Sequence, residues 1–294
     1  MFKDFSDWEV YDGANEGSGR SEKIWLKDPS NGQIGLFKFK KDFETKDHVS
    51  EKLASDLGTL LELPCAYVEI GTYENRKGSM SYLINKDNEE LIEGIGLINQ
   101  YFPNYSAEEM YDASLNEYYS IRMLIKAIEG YGLIKDLVKM LIFDCLIGNS
   151  DRHQNNWAII KKGDGIYKFS PLYDNSSSLC CYILEQNLEN YLGNDLNRLN
   201  SIVRTKSKSI VRINEKEKKR PTHEEVVTYL SKQYYDDVKD FIEQIILKIS
   251  PGEIERLLKG YSENLLSEKR KKLIKVFLTE KVKIMGKIIG REEA

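Results

Sequence analysis

The first 85 residues alternate short runs of strand character with turns that contain Gly and Asn. Residues 23–27 and 34–40 flank such a turn, so their pattern predicts a β-hairpin. Over residues 47–63 the apolar positions change to helical spacing, and Pro64 ends this predicted helix. Two further predicted strands flank a turn at residues 75–78, and they cover residues 66–73 and 79–84.

From residue 86 onward the apolar positions predict mainly helices. Ser106 and Glu109 have the spacing of a capping box, which predicts a helix that begins immediately after Ser106. The strongly apolar residues 133–146, with a glycine beyond each end, predict a buried helix. A pair of short strands is expected around the turn at residues 162–165.

The last quarter of the chain continues the helical pattern almost to its end. A capping signal at Thr222 opens one predicted helix, and Pro251 with Gly252 interrupts the series. The Lys-rich residues 268–290 predict a final helix. Residues 186–221 are rich in Asn and charged side chains, and we expect a loop or insertion there.

Length and charge bound the class of protein. A chain of 294 residues is long enough for about two domains, and the change in pattern divides it into residues 1–85 and 86–294. The chain has 43 basic and 47 acidic residues, for a net charge of −4. This balance argues against a dedicated nucleic-acid binder, which needs an excess of basic charge.

The cysteines and the apolar runs indicate the compartment. The 4 cysteines form neither a C-x-x-C pair nor a zinc-binding pattern, so we expect reduced thiols. The N-terminus has no signal-peptide pattern, and no apolar run approaches the roughly 18 residues of a membrane span. We therefore expect a cytoplasmic protein without membrane contact. Its Lys-, Asn- and Ile-rich composition is associated with AT-rich bacterial genomes.

The candidate chemistry is concentrated in residues 148–157, a polar loop between the predicted buried helix and a β-like run. The loop contains Asp151 and Asn156, and Asp174 follows the next apolar run. Phosphoryl transfer from ATP needs a carboxylate that orients the acceptor hydroxyl and takes its proton, and oxygen ligands for Mg²⁺. These three residues fit those tasks. Asp and Asn also favour turns, so Asp151 and Asn156 have a structural interpretation as well.

These segments also carry a family resemblance. Asp151-Arg152-His153-x-x-Asn156, followed by Pro171-Leu172-Tyr173-Asp174, resembles the catalytic and metal-binding segments of the HipA-like serine/threonine kinases. The resemblance implies an α+β, bilobal protein-kinase-like fold with a small β-rich N-lobe and a larger, mainly helical C-lobe. It also implies Asp151 as the catalytic base and Asn156 and Asp174 as metal ligands. The start of the chain resembles the short forms that lack the extra N-terminal subdomain of HipA toxins.

Weaker matches lie upstream, in the order that such a fold requires. Lys38 resembles the strand lysine that contacts the nucleotide phosphates. Glu51 is the favoured ion-pair partner for Lys38, with Glu44 and Asp47 as alternatives. The hinge that would present backbone groups to adenine matches Ser81, Tyr82 and Leu83.

A glycine-containing segment resembles the phosphate loop of the family, although it departs from the G-x-G-x-x-G pattern of ordinary protein kinases. Its candidate nucleotide-binding residues are Gly17, Ser18, Gly19, Arg20, Ser21 and Lys23. Such a loop is either a flexible turn or a nest of backbone N–H groups for phosphate. In the family it can be autophosphorylated and expelled. Glu16 occupies the matching serine position here, which leaves Ser18 and Ser21 as candidates for phosphorylation.

Three other features of the sequence have both a functional and a structural interpretation. His153 is a candidate acid or base, but we prefer a role in holding the loop by a hydrogen bond. Asp144 lies among apolar residues of the predicted helix, so we expect it to form structural hydrogen bonds. The basic residues 269–272 have acidic neighbours on adjacent helical faces, which favours a solvated helix over a nucleic-acid site.

Three functional hypotheses follow. The first is a serine/threonine protein kinase that uses ATP and Mg²⁺, acts on a protein substrate, and has an antitoxin-like protein regulator as a candidate partner. The second is a lipid kinase, since phosphatidylinositol kinases also use a D-R-H-x-x-N loop. The third is a pseudokinase or binding module that retains the fold without turnover.

Overall fold

A six-stranded β-sheet forms the first part of the fold. The computed structural model describes residues 2–13, 22–41, 45–86, 88–193 and 195–291. The strands are β1 (Lys3–Asp4), β2 (Glu9–Val10), β3 (Lys23–Lys27), β4 (Ile34–Phe39), β5 (Val68–Tyr73) and β6 (Arg76–Tyr82). They lie in the order β1-β5-β6-β4-β3-β2, with β1 and β5 parallel and the other neighbours antiparallel. The predicted hairpin is confirmed as β3 and β4.

Helix α1 (Asp47–Leu60) lies between β4 and β5 in the chain and packs against β5 and β6. Successive side chains of a strand point to opposite faces of the sheet. Phe37 of β4 is therefore buried with aromatic residues of the N-terminal segment, such as Phe5 and Trp8. Lys38 points to the other face, where α1 lies. The alternation within β4 thus places one lysine between the sheet and the helix.

Two boundaries in this part differ from the predicted ones. Helix α1 ends at Leu60, before Pro64 is reached, because Glu62 adopts a left-handed conformation with a φ of 53°. The turn between β5 and β6 lies at Glu74 and Asn75, with φ values of 49° and 63°, instead of at residues 75–78. Two positive φ values match the right-handed twist of a tight hairpin, so β6 begins earlier than predicted.

The second part of the chain is mainly helical and carries two small sheets. One consists of β7 (Glu90–Glu93), β11 (Ala158–Lys161) and β12 (Tyr167–Phe169); the other consists of β8 (Tyr105–Ser106), β9 (Tyr111–Asp112) and β10 (Glu117–Tyr118). The helices are α2 (Gly94–Tyr101), α3 (Ile121–Ile128), α4 (Ile134–Ile147), α5 (Glu189–Leu192), α6 (Leu196–Asn200), α7 (His223–Gln233), α8 (Tyr235–Lys248), α9 (Pro251–Lys259) and α10 (Glu268–Ile288). The predicted class, a β-rich first part and a mainly helical second part, is confirmed.

The helix predicted to begin after Ser106 is wrong. The Ser106 hydroxyl does accept the Glu109 N–H at 3.2 Å, as a helix cap would. However, Ser106 ends β8, and Met110 adopts a left-handed φ of 51° before the chain enters β9. The capping contact therefore closes a single turn, and strand pairing determines the remaining structure.

Helix α4 is the centre of the second part. It packs against α3, α7, α8 and α10, so most of its residues are buried. It ends at Gly148, which has a φ of 68° and lies so close to the Phe277 ring that an added Cβ would be 2.8 Å away. Glycine is the residue that accepts this conformation without strain. The chain leaves α4 here and enters the polar loop that contains Asp151.

The C-terminal elements follow the predicted order. Thr222 forms a complete capping box at the start of α7, and Ser250 with Pro251 starts α9 after α8 has ended. Residues 186–221 contain short helices and a π-helical turn (Ser201–Thr205), and residues 206–221 are largely irregular. This agrees with the loop expected there.

Candidate active site

Lys38 of β4 lies between two carboxylates from different parts of the chain. Its Nζ is 3.0 Å from Oδ1 of Asp174 and 3.8 Å from Oε2 of Glu51 on α1. Glu51 is 1% exposed, and its Oε1 accepts the N–H of Asn175 at 3.0 Å. Glu51 therefore links the sheet to the Asp174 segment. Of the alternatives for Glu51, Glu44 lies outside the described residues.

Asp47, the other alternative, has different partners. Its carboxylate accepts a hydrogen bond from the Thr45 hydroxyl at 3.1 Å and lies 3.7 Å from Nδ1 of His48. It does not form an ion pair with Lys38 within 4 Å among the described residues. The geometry thus selects Glu51 and adds Asp174 as a closer contact of the same lysine.

The charges of this group depend on one another. Burial alone would lower the pKa of Lys38, but the carboxylates of Asp174 and Glu51 outweigh it and raise the pKa. Burial would raise the pKa of Asp174, yet Lys38 holds it below its usual value. For Glu51 burial prevails over Lys38, so its pKa is raised. Lys38 and Asp174 are therefore a charged pair at neutral pH.

Two hydrogen bonds between side chains and backbone groups fix Asp151 and Asn156 in the polar loop after α4. The Asp151 N–H donates to Oδ1 of Asn149 at 3.1 Å, and the Asn156 side-chain amide donates to the Asp151 carbonyl at 2.7 Å. The second bond uses the amide nitrogen of Asn156, so its amide oxygen is the candidate metal ligand. Burial raises the pKa of Asp151, although His153 partly counteracts it. The raised value favours a carboxylate that accepts a proton.

His153 contributes to the local structure of the loop. Its Nδ1 accepts the N–H of Asn155 at 3.2 Å, and its carbonyl accepts the N–H of Asn156 at 2.9 Å. These contacts agree with the loop-holding interpretation of this histidine.

Arg152 is a site residue to which the sequence interpretation assigned no role. Its buried guanidinium forms an ion pair with Asp144 at 2.7 Å and donates to the carbonyls of Asn156 and Tyr173 at 2.6 and 2.8 Å. It also donates to the side chain of Asn175. Arg152 thus joins the Asp151 loop to the Asp174 segment. The signal in the sequence was the combination of Asp144 in an apolar helix with Arg152 beside Asp151.

Asp144 has the structural role that its position predicted. Besides the ion pair with Arg152, its carboxylate accepts the side-chain N–H of Asn149 at 3.0 Å. Both partners belong to the loop after α4. The buried carboxylate therefore fixes this loop to the end of the helix that precedes it.

A cleft between the sheet and the helical part brings seven of the predicted site residues together, but Asp151, Glu51 and His153 are not among the residues that line it. It is lined by Lys23, Trp25, Leu36, Lys38, Ser81, Tyr82, Leu83, Ile84, Asn85, Leu91, Glu93, Asn155, Asn156, Tyr173 and Asp174. The predicted hinge residues thus face the same space as Lys38, Asn156 and Asp174. Of the predicted phosphate loop, Gly17, Ser18, Gly19, Arg20 and Ser21 lie outside the described residues, whereas Lys23 in β3 lines the cleft.

Two more residues of the cleft were missed by sequence reasoning. The Tyr173 hydroxyl donates to the Asn155 carbonyl at 2.9 Å, and the Asn155 side chain donates to Glu93 at 2.8 Å. Both contacts join segments that are distant in sequence, so no local pattern signals them. A larger cavity of about 530 Å³ lies between α1 and α9, and the predicted site residues do not line it.

The oxygen atoms of Asn156 and Asp174 are the candidate metal ligands. In the described part of the chain, no group of three or more His, Cys, Asp or Glu side chains could hold a metal ion. A site of one carboxylate and one amide suits Mg²⁺, because this ion prefers oxygen ligands and retains several waters. Asp174 has a φ of 53°, a left-handed conformation that is uncommon for a residue with a side chain. Such strain often occurs at functional sites.

The remaining candidates from the sequence have structural explanations. All four cysteines are free, and burial raises the pKa of the Cys65 thiol to about 12. In the basic cluster of α10, Lys269, Arg270 and Lys271 each pair with a glutamate. Within the described residues no helix is long and apolar enough to cross a membrane.

The sheet, the helical part and the cleft between them define a kinase-like fold. The protein belongs to the family of the HipA-like C-terminal domain, whose model matches residues 16–249. The structure resembles the proinflammatory kinase CtkA of Helicobacter pylori with a TM-score of 0.82 and 20% identity, covering 99% of this chain and 98% of that one. It resembles HipA of Shewanella oneidensis, solved with HipB and operator DNA, with a TM-score of 0.61 and 14% identity, covering 97% and 68%. None of the curated proteins matches the sequence. Family membership supports a kinase function.

Proposed function

We propose that this protein is an ATP- and Mg²⁺-dependent serine/threonine protein kinase. The observation that carries the proposal is the grouping of Lys38, Asn156 and Asp174 at one cleft. Buried Glu51 lies beside Lys38, and the Asn156 side chain is bonded to the backbone of Asp151. A charged lysine, a carboxylate and an amide oxygen at one cleft are the groups that phosphoryl transfer requires. Family membership supports the same class of reaction.

The residues present fit the two implied ligands. The cleft beside Ser81, Tyr82 and Leu83 offers strand backbone and apolar side chains to a purine base. Lys38 carries the positive charge that a phosphate group needs. Asn156 and Asp174 would hold Mg²⁺, which when bound neutralises the charge on the phosphates.

Asp151 is the proposed catalytic base. Its backbone is fixed from both sides by Asn149 and Asn156, and its side chain is partly exposed. The carboxylate would accept a hydrogen bond from the acceptor hydroxyl and take its proton as the oxygen attacks the γ-phosphorus. The bond between the γ-phosphorus and the oxygen bridging it to the β-phosphate breaks in the same step, and ADP leaves with that oxygen. The raised pKa of Asp151 favours this transfer. Lys38 stabilises the charge on the phosphates during the same step.

The substrate and the partner belong to the same proposal. A protein Ser or Thr is the proposed acceptor, and Ser18 and Ser21 are candidates for autophosphorylation. The resemblance to HipA, which was solved in complex with HipB, supports an antitoxin-like protein as a candidate regulator.

The test is incubation of the protein with Mg²⁺ and γ-labelled ATP, with and without a generic protein acceptor. Asp151→Asn should lose transfer but retain ATP affinity, whereas Asp174→Asn should weaken both. Asp164→Asn, an equivalent change in the exposed turn between β11 and β12, should leave both unchanged.

Three outcomes would contradict the proposal at different levels. Transfer to a lipid headgroup but not to protein would indicate a lipid kinase. ATP binding without transfer would indicate a pseudokinase. Wild-type transfer by Asp151→Asn would show that the base is another residue.

A further inference from the structure

A line of buried polar side chains connects α10 to the loop of Asp151 from the side of the helical core. Lys281 of α10, Ser207 and His223 of α7 are 1%, 7% and 1% exposed. Lys281 Nζ is 2.7 Å from Ser207 Oγ, which is 2.9 Å from His223 Nδ1. His223 Nε2 is 2.7 Å from the carbonyl oxygen of Asn149. We call these three side chains the core relay.

The direction of each hydrogen bond in the core relay follows from its chemistry. The Asn149 carbonyl can only accept, so His223 Nε2 carries a hydrogen and donates it. Burial, with Lys281 nearby, lowers the pKa of His223 to about 3, so the ring is neutral and Nδ1 has a lone pair. Ser207 therefore donates its hydroxyl hydrogen to Nδ1 and accepts a hydrogen from Lys281. Each hydrogen bond of the core relay therefore has a defined donor and acceptor.

The core relay ends on a residue whose other polar groups all hold the active-site loop. The Asn149 N–H donates to the Asp144 carbonyl at 2.9 Å, and its side-chain N–H donates to the Asp144 carboxylate at 3.0 Å. Its side-chain oxygen accepts the N–H of Asp151 at 3.1 Å. The remaining polar group of Asn149 is its backbone carbonyl, which accepts the hydrogen bond from His223. Displacing that carbonyl would move the residue that holds the Asp151 backbone.

Burying the Lys281 amine does not by itself stabilise the fold, so its presence there needs another explanation. Lys281 forms no ion pair with a carboxylate in the described ranges, and burial lowers its pKa. Besides the Ser207 contact, its Nζ lies 5.4 Å from the centroid of the Phe277 ring. Removing an amine from water destabilises a fold unless hydrogen bonds compensate. Its contribution therefore lies in the geometry that it fixes.

We propose that Lys281, Ser207 and His223 are positioning residues for phosphoryl transfer, which hold the Asn149 carbonyl and thereby the Asp151 backbone in place. This inference rests on the kinase function proposed above. It makes the C-terminal helix α10 part of the active-site support, although α10 does not line the cleft. The positioning acts on Asp151 and not on the nucleotide, so it affects turnover more than ATP affinity.

The test compares three variants of the full chain. His223→Leu removes both ring contacts, whereas His223→Gln keeps an N–H for the Asn149 carbonyl and an oxygen beside Ser207. Thr279→Val is the matched control, because the Thr279 hydroxyl, also on α10, donates only to the Lys275 carbonyl of its own helix at 2.8 Å. Turnover and KM for ATP are measured with hydrogen exchange of the amides of residues 149–152.

We expect kcat of His223→Leu to fall by roughly ten- to a hundredfold, the usual effect of a misplaced catalytic group. KM for ATP should stay within about twofold, as a loss confined to the transition state requires. Amide exchange at residues 149–152 should accelerate. His223→Gln should recover most of the turnover and the protection, and Thr279→Val should match the unmutated protein.

Two results would overturn the proposal. One is a folded His223→Leu protein with unchanged turnover and unchanged exchange. The other is an equal loss in His223→Leu and His223→Gln that follows a fall in Tm. If His223→Leu does not fold, Ser207→Ala carries the same comparison. Failure of the kinase proposal is distinguishable, because the unmutated protein would then transfer no phosphate while exchange at residues 149–152 still reports on the core relay.

Discussion

Replacing Arg152 with Met would test whether one guanidinium holds the two halves of the active site together. Arg152 is 1% exposed and Asp144 is 3% exposed, so the change leaves a carboxylate buried without its partner. Breaking a buried ion pair in this way costs about 3–5 kcal/mol in the free energy of unfolding. The Asn156 and Tyr173 carbonyls also lose a donor, which adds to the cost.

Urea unfolding and the transfer assay measure the two consequences. We expect Arg152→Met to lower the free energy of unfolding by that amount and to abolish transfer, because the Asp151 and Asp174 segments lose their common anchor. Arg152→Lys keeps the charge but not the fork of donors, so it should restore part of the stability and little of the activity. Arg256→Met is the matched control, since Arg256 forms an exposed pair with Glu253 and its loss should change the free energy of unfolding little.

A cost for Arg152→Met that equals the cost for Arg256→Met would refute this reasoning. It would mean that the contacts of Arg152 exist but that other interactions position the loops. Retained transfer in a destabilised Arg152→Met protein would refute the functional half alone, since the segments would then hold their geometry without the guanidinium.

Three further predictions concern the lysine, the helix end and the buried histidine. Lys38→Met should weaken ATP binding in calorimetry and abolish transfer, because it removes the charge for the phosphates and leaves Glu51 buried without its cation. Gly148→Ala should lower the free energy of unfolding in urea by about 1–2 kcal/mol or more, owing to the left-handed φ and the contact with Phe277. A folded pKa of about 3 for His223 lies below the ordinary value near 6.5, so its contribution is complete above that pH and is lost as the pH falls. The unmutated protein should therefore lose about 1.4 kcal/mol more stability per pH unit below 6.5 than His223→Gln, measured by urea unfolding between pH 7 and 5.

The parts of the fold that were predicted correctly depend on local patterns. The β3–β4 hairpin, the buried helix α4 and the capping box of α7 are each specified by residues within a short window. The helix expected after Ser106 failed because its cap signal is equally local but competes with strand pairing between β8 and β9. A capping contact fixes one turn, and tertiary contacts decide whether a helix follows.

The same distinction between local patterns and distant contacts applies to the candidate site. Residue type, spacing and the family resemblance together selected Asp151, Asn156 and Asp174, and their roles stay predictions. The contacts of Arg152 with Asn175 and of His223 with Asn149 join residues far apart in the chain. No periodicity encodes such contacts, so the supporting residues required the structure.

The two sides of the cleft are held in different ways, and this bears on how a nucleotide can enter. Buried groups outside the loop of Asp151 anchor it: Asp144 of α4 bonds to Arg152 and Asn149, and His223 bonds to the Asn149 carbonyl. Across the cleft, the side chains of Lys38 and Asp174 pair with each other, with Nζ 3.0 Å from Oδ1, while Arg152 and Glu51 hold the residues on either side of Asp174. In the proposed mechanism a nucleotide phosphate would pair with Lys38 and Mg²⁺ would pair with the Asp174 carboxylate, in place of their ion pair with each other. That exchange leaves neither charge unpaired, so the pair can open at little electrostatic cost while the base stays in place.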